Sequence, residues 1–141
     1  MFIIQGGTIL IYTETMKQSF FIVEDSLFIR EIYRLCLKNV SVEFIGEAID
    51  GISAVEQIQK LKPDIVLLDL VLPEKNGFDI LSDCAHLKTK FIVISSLPQD
   101  EYEQKAKSLG ALFYLEKPFK KQQLVQIVES ALNQQHEVKH G

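Results

Sequence analysis

Asp64-Ile-Val-Leu-Leu-Asp69-Leu-Val-Leu-Pro73-Glu-Lys-Asn-Gly77 is the stretch of this chain that decides the fold. Its four consecutive apolar residues, between two aspartates, predict a short strand that is buried on both faces, as in a parallel sheet. Pro73 and Gly77 predict a loop after the strand. The predicted strand is therefore followed directly by Asp69. The packing of an apolar strand gives no reason for a charged residue at this position.

Short apolar runs alternate with amphipathic stretches on both sides of this segment. Further strands are predicted at 20–23, 91–94 and 112–115, with a more mixed run at 42–45 that is typical of an edge strand. Helices are predicted over 26–39, after Gly51, after Gly77, over 101–109 and over a last segment that carries Leu124, Val128 and Ala131. Five strand–helix units predict an α/β fold, a doubly wound five-stranded parallel sheet with helices on both faces.

The spacing of apolar residues also predicts which helical positions face the core. In the first helix these are Leu27, Ile32, Leu35 and Cys36, and in the second they are Ala54, Ile58 and Leu61. The two cysteines, Cys36 and Cys84, have neither a disulfide framework nor zinc-ligand spacing, and both are expected to be reduced core residues.

Composition places the chain among ordinary soluble domains. Its 141 residues are 47% hydrophobic and 24% charged, which suits one globular domain and excludes disorder of its body. A net charge of -4 argues against nucleic-acid binding. Apolar runs are too short for a membrane helix and the start lacks the positive charges of a secretory signal, so we expect a cytoplasmic protein with no membrane contact.

Polar residues follow four of the predicted strands: Glu24-Asp25, Asp69, Ser95-Ser96 and Glu116-Lys117-Pro118. Because the carboxyl ends of parallel strands meet at one edge of the sheet, these groups are expected to converge there. Neighbouring carboxylates repel by about 4 kcal/mol at ~4 Å and an intermediate dielectric. A hard divalent cation relieves this repulsion, and with a phosphate oxygen among its ligands the set becomes a phosphoryl-transfer site.

Four segments, in this order, carry a family resemblance: FIVEDS at 21–26, DIVLLDLVLPEKNG at 64–77, FIVISS at 91–96 and GALFYLEKPF at 110–119. Together they resemble the receiver domain of two-component response regulators, the CheY-like family. The resemblance extends from Gln18 to Leu132 and implies the (βα)5 flavodoxin-like receiver fold. With only a short tail after the last helix, it implies the stand-alone, single-domain type.

The resemblance implies a role for each residue at the strand ends. Asp69 is implied to be the phosphoacceptor, with Lys117 and the hydroxyl of Ser95 contacting the phosphoryl group. Mg²⁺ (or Mn²⁺) is implied to be held by Glu24, Asp25, Asp69 and the backbone carbonyl of Val71. Switch and pocket positions are implied for Tyr114, Ser96 and Pro118, the last after a cis peptide bond, and for the loop of Pro73 and Gly77.

The function implied is that of a signal relay rather than an enzyme, with self-phosphorylation and self-dephosphorylation as its only chemistry. A sensor histidine kinase or a histidine phosphotransfer protein would supply the phosphoryl group. The surface of the fourth helix, fifth strand and fifth helix of the pattern would then bind a downstream protein, or the group would be passed on. The protein is expected to be a monomer or a phosphorylation-dependent dimer.

Other functions fit the residues less well. An adaptor that no longer uses phosphorylation stays open as the alternative, although such a protein is expected to have lost a pocket residue. A hydrolase with an aspartate nucleophile needs a second acid two residues after Asp69, where Val71 stands. An electron carrier of the flavodoxin type needs a phosphate-binding loop after the first strand, which is missing.

The ends of the chain fall outside the repeating pattern, and residues 18–133 form the predicted receiver domain. Residues 1–17 are interpreted as an upstream extension, either an artefact of start-site choice or a small hairpin of 2–4 and 9–11 around Gly6-Gly7. Residues 134–141 are a polar tail in which His136, Glu137 and His140 match the zinc-protease string H-E-x-x-H. With no third ligand or cleft, we expect no zinc enzyme.

Overall fold

The computed structural model describes residues 2–5, 8–11 and 17–134. Its strands are β1 (Phe2–Gln5), β2 (Thr8–Ile11), β3 (Gln18–Val23), β4 (Val42–Ala48), β5 (Ile65–Leu68), β6 (Lys90–Ser95) and β7 (Ala111–Glu116). Its helices are α1 (Leu27–Cys36), α2 (Gly51–Leu61), α3 (Gly77–Asp83), α4 (Gln99–Ser108) and α5 (Lys121–Asn133). Strands β3 to β7 form one parallel sheet in the order β4-β3-β5-β6-β7, which confirms the predicted fold and the predicted edge strand β4.

Local side-chain chemistry begins and ends the helices. Ser26, Asp50 and Asn76 each accept a hydrogen bond from the amide three residues later, and so cap α1, α2 and α3. Helix α2 ends at Lys62, which takes the left-handed conformation (φ 47°) just before Pro63. Two predicted helix boundaries were wrong by a few residues, because α1 ends at Cys36 rather than at 39 and α4 begins at Gln99 rather than at 101.

The central sheet divides the core into two layers. In β5, Val66 and Leu68 pack against α2, α3 and α4, whereas Ile65 and Leu67 pack against α1 and α5. All four side chains are fully buried, as the apolar run predicted. A strand buried on both faces cannot shift its register without exposing apolar side chains, and this fixes Asp69 at the edge of the sheet.

The core-facing side of α1 differs from the prediction. Leu35 is 67% exposed and Leu27 is exposed as well, while Arg30 and Tyr33 are buried. Arg30 turns inward because its guanidinium finds hydrogen-bond acceptors directly after β3 and on β4, and this orientation of α1 leaves the two leucines facing outward. Leu61, at the end of α2, is also largely exposed.

The two cysteines and the hairpin agree in most respects with expectation. Cys84 is buried and Cys36 is half-buried, and both are free thiols.

Strands β1 and β2 pair antiparallel, with Phe2 opposite Ile11, which confirms the hairpin. The native start of the chain stays a prediction, and the zinc-protease string at 136–140 lies outside the described residues. Within the described part of the chain, no helix has the length and apolar character needed to cross a membrane.

Leu35, in α1, and Leu37, the residue directly after this helix, test its observed orientation. Leu37→Ala removes a side chain that is 2% exposed, and we expect it to lower the free energy of unfolding by about 2–5 kcal/mol. Leu35→Ala removes an exposed side chain and is expected to change it by at most about 0.5 kcal/mol. Urea denaturation followed by circular dichroism measures both. A similar loss in the two variants would contradict the exposed position of Leu35.

Candidate functional site

Three carboxylates meet at the carboxyl edge of the sheet, as predicted. Glu24 and Asp25 follow β3, and Asp69 follows β5, which is the neighbouring strand. One carboxylate oxygen of each lies within 4.8 Å of the others. Glu24 and Asp69 are buried, with exposures of 2% and 7%, while Asp25 is exposed. The cluster therefore has a desolvated floor and one side open to water.

Lys117 reaches this cluster from the end of β7, which is the edge strand opposite β4. Its Nζ lies 3.0 Å from Oε2 of Glu24 and 3.1 Å from Oδ2 of Asp69. The main chain is held in place because the amide of Lys117 donates to the carbonyl of Ser95 at 2.8 Å. The peptide bond between Lys117 and Pro118 is cis, as predicted. One ammonium group thus balances two buried carboxylates.

Ser95 and Tyr114 meet at the loop after β6. Ser95 is fully buried, and its Oγ accepts a hydrogen bond from the amide of Leu97 at 3.3 Å. The hydroxyl of Tyr114 donates to the carbonyl of Leu97 at 2.6 Å. Burial, with the charge of Glu116, raises the pKa of Tyr114 to about 12, so this hydroxyl stays a donor at neutral pH. Ser96 is exposed at the mouth of the site.

The loop after β5 shapes the floor around the predicted phosphoacceptor. The amide of Val71 donates to Oδ1 of Asp69 at 3.1 Å, while the Val71 side chain is exposed. The amide of Gly77 donates to the carbonyl of Leu70 at 2.9 Å. A Cβ at Gly77 would lie 2.5 Å from the carbonyl oxygen of Asp69, so only glycine fits there. That the carbonyl of Val71 contacts a metal stays a prediction.

Arg30 is the residue of the site that the sequence analysis missed. Its Nη1 donates to the main-chain carbonyl of Glu24 at 2.9 Å, and its Nε lies 2.8 Å from Oε2 of Glu47 on β4. The buried guanidinium thereby fixes the main chain between Glu24 and Asp25. A charged residue three positions before Tyr33 and seven before Leu37, on the inward side of an amphipathic helix, is the signal that could have identified it.

The buried charges shift the proton affinities of the cluster. Burial, together with Asp69, raises the pKa of Glu24 from 4.5 to about 7, although Lys117 acts in the opposite direction. Burial disfavours the ammonium of Lys117, but the charges of Asp69 and Glu24 outweigh it and raise the pKa of Lys117. The three carboxyl groups of Glu24, Asp25 and Asp69 offer the oxygen ligands that a hard divalent cation prefers.

Comparison with known proteins agrees with this geometry. The family model of the response regulator receiver domain matches residues 20–129. Chemotaxis protein CheY of Thermotoga maritima is 34% identical over 113 residues, which are 79% of this chain and 94% of CheY. Transcriptional regulatory protein PdtaR of Mycobacterium tuberculosis is 33% identical over 118 residues, 83% of this chain. The chain spans only 58% of PdtaR.

Solved structures of the same kind superpose on most of the chain. The response regulator domain of Thermotoga maritima CheB has a TM-score of 0.76 at 26% identity, covering 85% of this chain and 99% of its own. The BeF3-activated receiver domain of Klebsiella pneumoniae RstA has a TM-score of 0.76 at 25% identity, covering 83% and 100%. Fold and sequence similarity therefore lead to the same family.

The raised pKa of Glu24 predicts a pH-dependent stability. A carboxyl group with a pKa of about 7 when folded and about 4.5 when unfolded binds more protons in the folded state, so stability falls as pH rises between these values. Glu24→Gln removes this loss, and without divalent cations we expect the variant to be more stable than wild type at pH 8 by up to about 3 kcal/mol.

Urea denaturation from pH 4.5 to 8, in the presence of a chelator, measures this difference. Glu129→Gln, at an exposed position on α5, is the matched control and should keep the wild-type dependence on pH. If Glu24→Gln and wild type lose stability in parallel as the pH rises, the raised pKa of Glu24 is wrong.

Proposed function

The chain belongs to the response regulator receiver family, and from this we propose that it is a phosphoacceptor of two-component signalling. Asp69 receives a phosphoryl group. Either this change at the site alters the binding of a partner protein, or the phosphoryl group is passed on. The observation that carries the proposal is the ammonium of Lys117 between Asp69 and Glu24, at 3.1 and 3.0 Å. It places positive charge where a phosphoryl group on Asp69 would bring negative charge.

The proposed reaction is a transfer between two covalent carriers. A carboxylate oxygen of Asp69 attacks the phosphorus of a phosphohistidine, the P–N bond breaks, and its electron pair stays on the imidazole nitrogen. Glu24, Asp25, Asp69 and the carbonyl of Val71 would hold Mg²⁺ or Mn²⁺, which supplies further neutralisation of the phosphoryl oxygens. Lys117 orients one of these oxygens, and the exposed Ser96 leaves the approach open.

Ser95 and Tyr114 are proposed to convert this local charge into a change of shape. A phosphoryl oxygen on Asp69 would accept a hydrogen bond from the Ser95 hydroxyl, and a turn of that side chain toward it would alter the bond that the Ser95 oxygen now accepts from the amide of Leu97. Since Tyr114 is bonded to the carbonyl of the same Leu97, a movement of this loop changes the packing of Tyr114 on β7. The surface of α4, β7 and α5 is therefore the proposed contact for a downstream protein.

An apolar rim around the site favours a protein as the phosphoryl donor. Among the described residues, five of the seven large apolar side chains that are exposed lie within five residues of the carboxyl end of β3, β4 or β5: Leu27, Phe28, Ile49, Ile52 and Val71. Exposed apolar groups around a charged pocket are typical of a protein-binding surface. We propose that a sensor histidine kinase or a histidine phosphotransfer protein docks there.

For the protein as a whole, we propose a cytoplasmic, single-domain relay that is a monomer or a phosphorylation-dependent dimer. It binds no nucleic acid, and it catalyses no reaction beyond its own phosphorylation and dephosphorylation. The adaptor that works without phosphorylation is the alternative. It is less favoured because Asp69, Lys117 and Ser95 all lie in the pocket that the phosphoryl group would occupy.

Incubation with acetyl phosphate and Mg²⁺, followed by intact-mass analysis, tests the proposal. Wild type is expected to gain one phosphoryl group, and none when a chelator removes Mg²⁺. Asp69→Asn is expected to gain none because the amide is not a nucleophile for phosphorus. Asp79→Asn, at an exposed position on α3, is the matched control and should be modified like wild type.

Two results would count against the phosphoacceptor. Equal modification of Asp69→Asn and wild type would place the phosphoryl group on another residue. Failure of wild type to gain the group, together with no Mg²⁺ binding by calorimetry, would favour the adaptor.

A further inference from the structure

Helix α4 lacks a cap of its own. The first amides of a helix have no partner within it, and α1, α2 and α3 satisfy one each with the side chain of their N-cap residue. The N-cap residue of α4 is Pro98, whose side chain cannot accept a hydrogen bond. A side-chain acceptor for the start of α4 therefore has to come from elsewhere in the chain.

Glu116, the last residue of β7, provides that acceptor. Its Oε1 accepts a hydrogen bond from the amide of Gln99, the first residue of α4, at 2.7 Å. A carboxylate at this position also faces the positive end of the helix dipole. The bond crosses between two elements, whereas a normal cap lies next to its own helix in the sequence.

The residue that follows Glu116 belongs to the pocket. Lys117 contacts Asp69 through its Nζ, and its amide donates to the carbonyl of Ser95. Glu116 and Lys117 share one planar peptide unit, so a shift of the Lys117 main chain also displaces the adjoining main-chain atoms of Glu116. The start of α4 is thus connected to Asp69 through two consecutive residues.

We propose that Glu116 is a positioning residue that couples the location of Lys117 to the start of α4. When Lys117 adjusts to a phosphoryl group on Asp69, Glu116 moves with it and the bond to Gln99 changes. The stability of the first turn of α4 then reports the state of the site. The coupling rests on the proposed function, whereas the capping bond itself does not.

Hydrogen exchange of the Gln99 amide in the unmodified protein, followed by NMR, tests the capping bond. Glu116→Ala is expected to speed this exchange roughly fivefold, in line with the usual contribution of a cap. Glu116→Gln should retain most of the protection because its amide oxygen still accepts a hydrogen bond. Glu129→Ala, an exposed position on α5, is the control. Equal exchange in wild type and Glu116→Ala would overturn the assignment.

The same amide tests the coupling after addition of beryllofluoride and Mg²⁺, a stand-in for the phosphoryl group. Wild type should change its exchange at Gln99 by a factor of roughly two or more. Glu116→Ala should show no such change, although intact-mass analysis after acetyl phosphate still finds one added phosphoryl group. A response of Glu116→Ala equal to that of wild type would overturn the coupling.

The capping bond is tested independently of the proposed function, whereas the coupling depends on it. If wild type neither gains a phosphoryl group nor responds to beryllofluoride, the proposed function and the coupling are both wrong. The capping bond is then still judged by the exchange of the unmodified protein.

Discussion

The mutual repulsion of Glu24, Asp25 and Asp69, and its balance by Lys117, is the constraint on which the rest of this structure depends. Carboxylate oxygens within 4.8 Å of one another, two of them on buried residues, would not be stable without nearby positive charge. Lys117 supplies this charge from the end of β7, which lies two strands from β5 in the sheet. Burial and the neighbouring Asp69 raise the pKa of Glu24, whereas the charges of Asp69 and Glu24 raise the pKa of Lys117 against the effect of its burial.

Such a site needs a rigid frame, and the fold provides one. Strand β5 is buried on both faces, so the position of Asp69 follows from apolar packing rather than from its own contacts. Arg30 holds the main chain of Glu24, and Gly77 allows the following loop to pass within contact of Asp69. The flexible functional groups are therefore carried by main chain that has little freedom, which is the arrangement that positioning and electrostatic stabilisation require.

Much of the site could be predicted because it consists of residues at strand ends, and strand ends are visible in the sequence. Asp69, Ser95 and Lys117 each follow an apolar run, and parallel strands bring their carboxyl ends to one edge. Arg30 could not be predicted in this way, because it lies on a helix and the apolar spacing of α1 predicts other residues on the inward side. The apolar spacing of α1 fits more than one rotation of the helix, and in the structure Leu27 and Leu35 are exposed.

The sequence by itself determined the five strand–helix units, the parallel sheet and the identity of the groups at its carboxyl edge, because apolar periodicity and loop residues are local properties. Tertiary structure alone decided the rotation of α1, the contact of Arg30 with Glu24, and the bond from Gln99 to Glu116. These depend on distances between elements that are far apart in the chain. No local pattern records which hydrogen-bond acceptor a buried guanidinium or an uncapped helix will meet once the layers have packed.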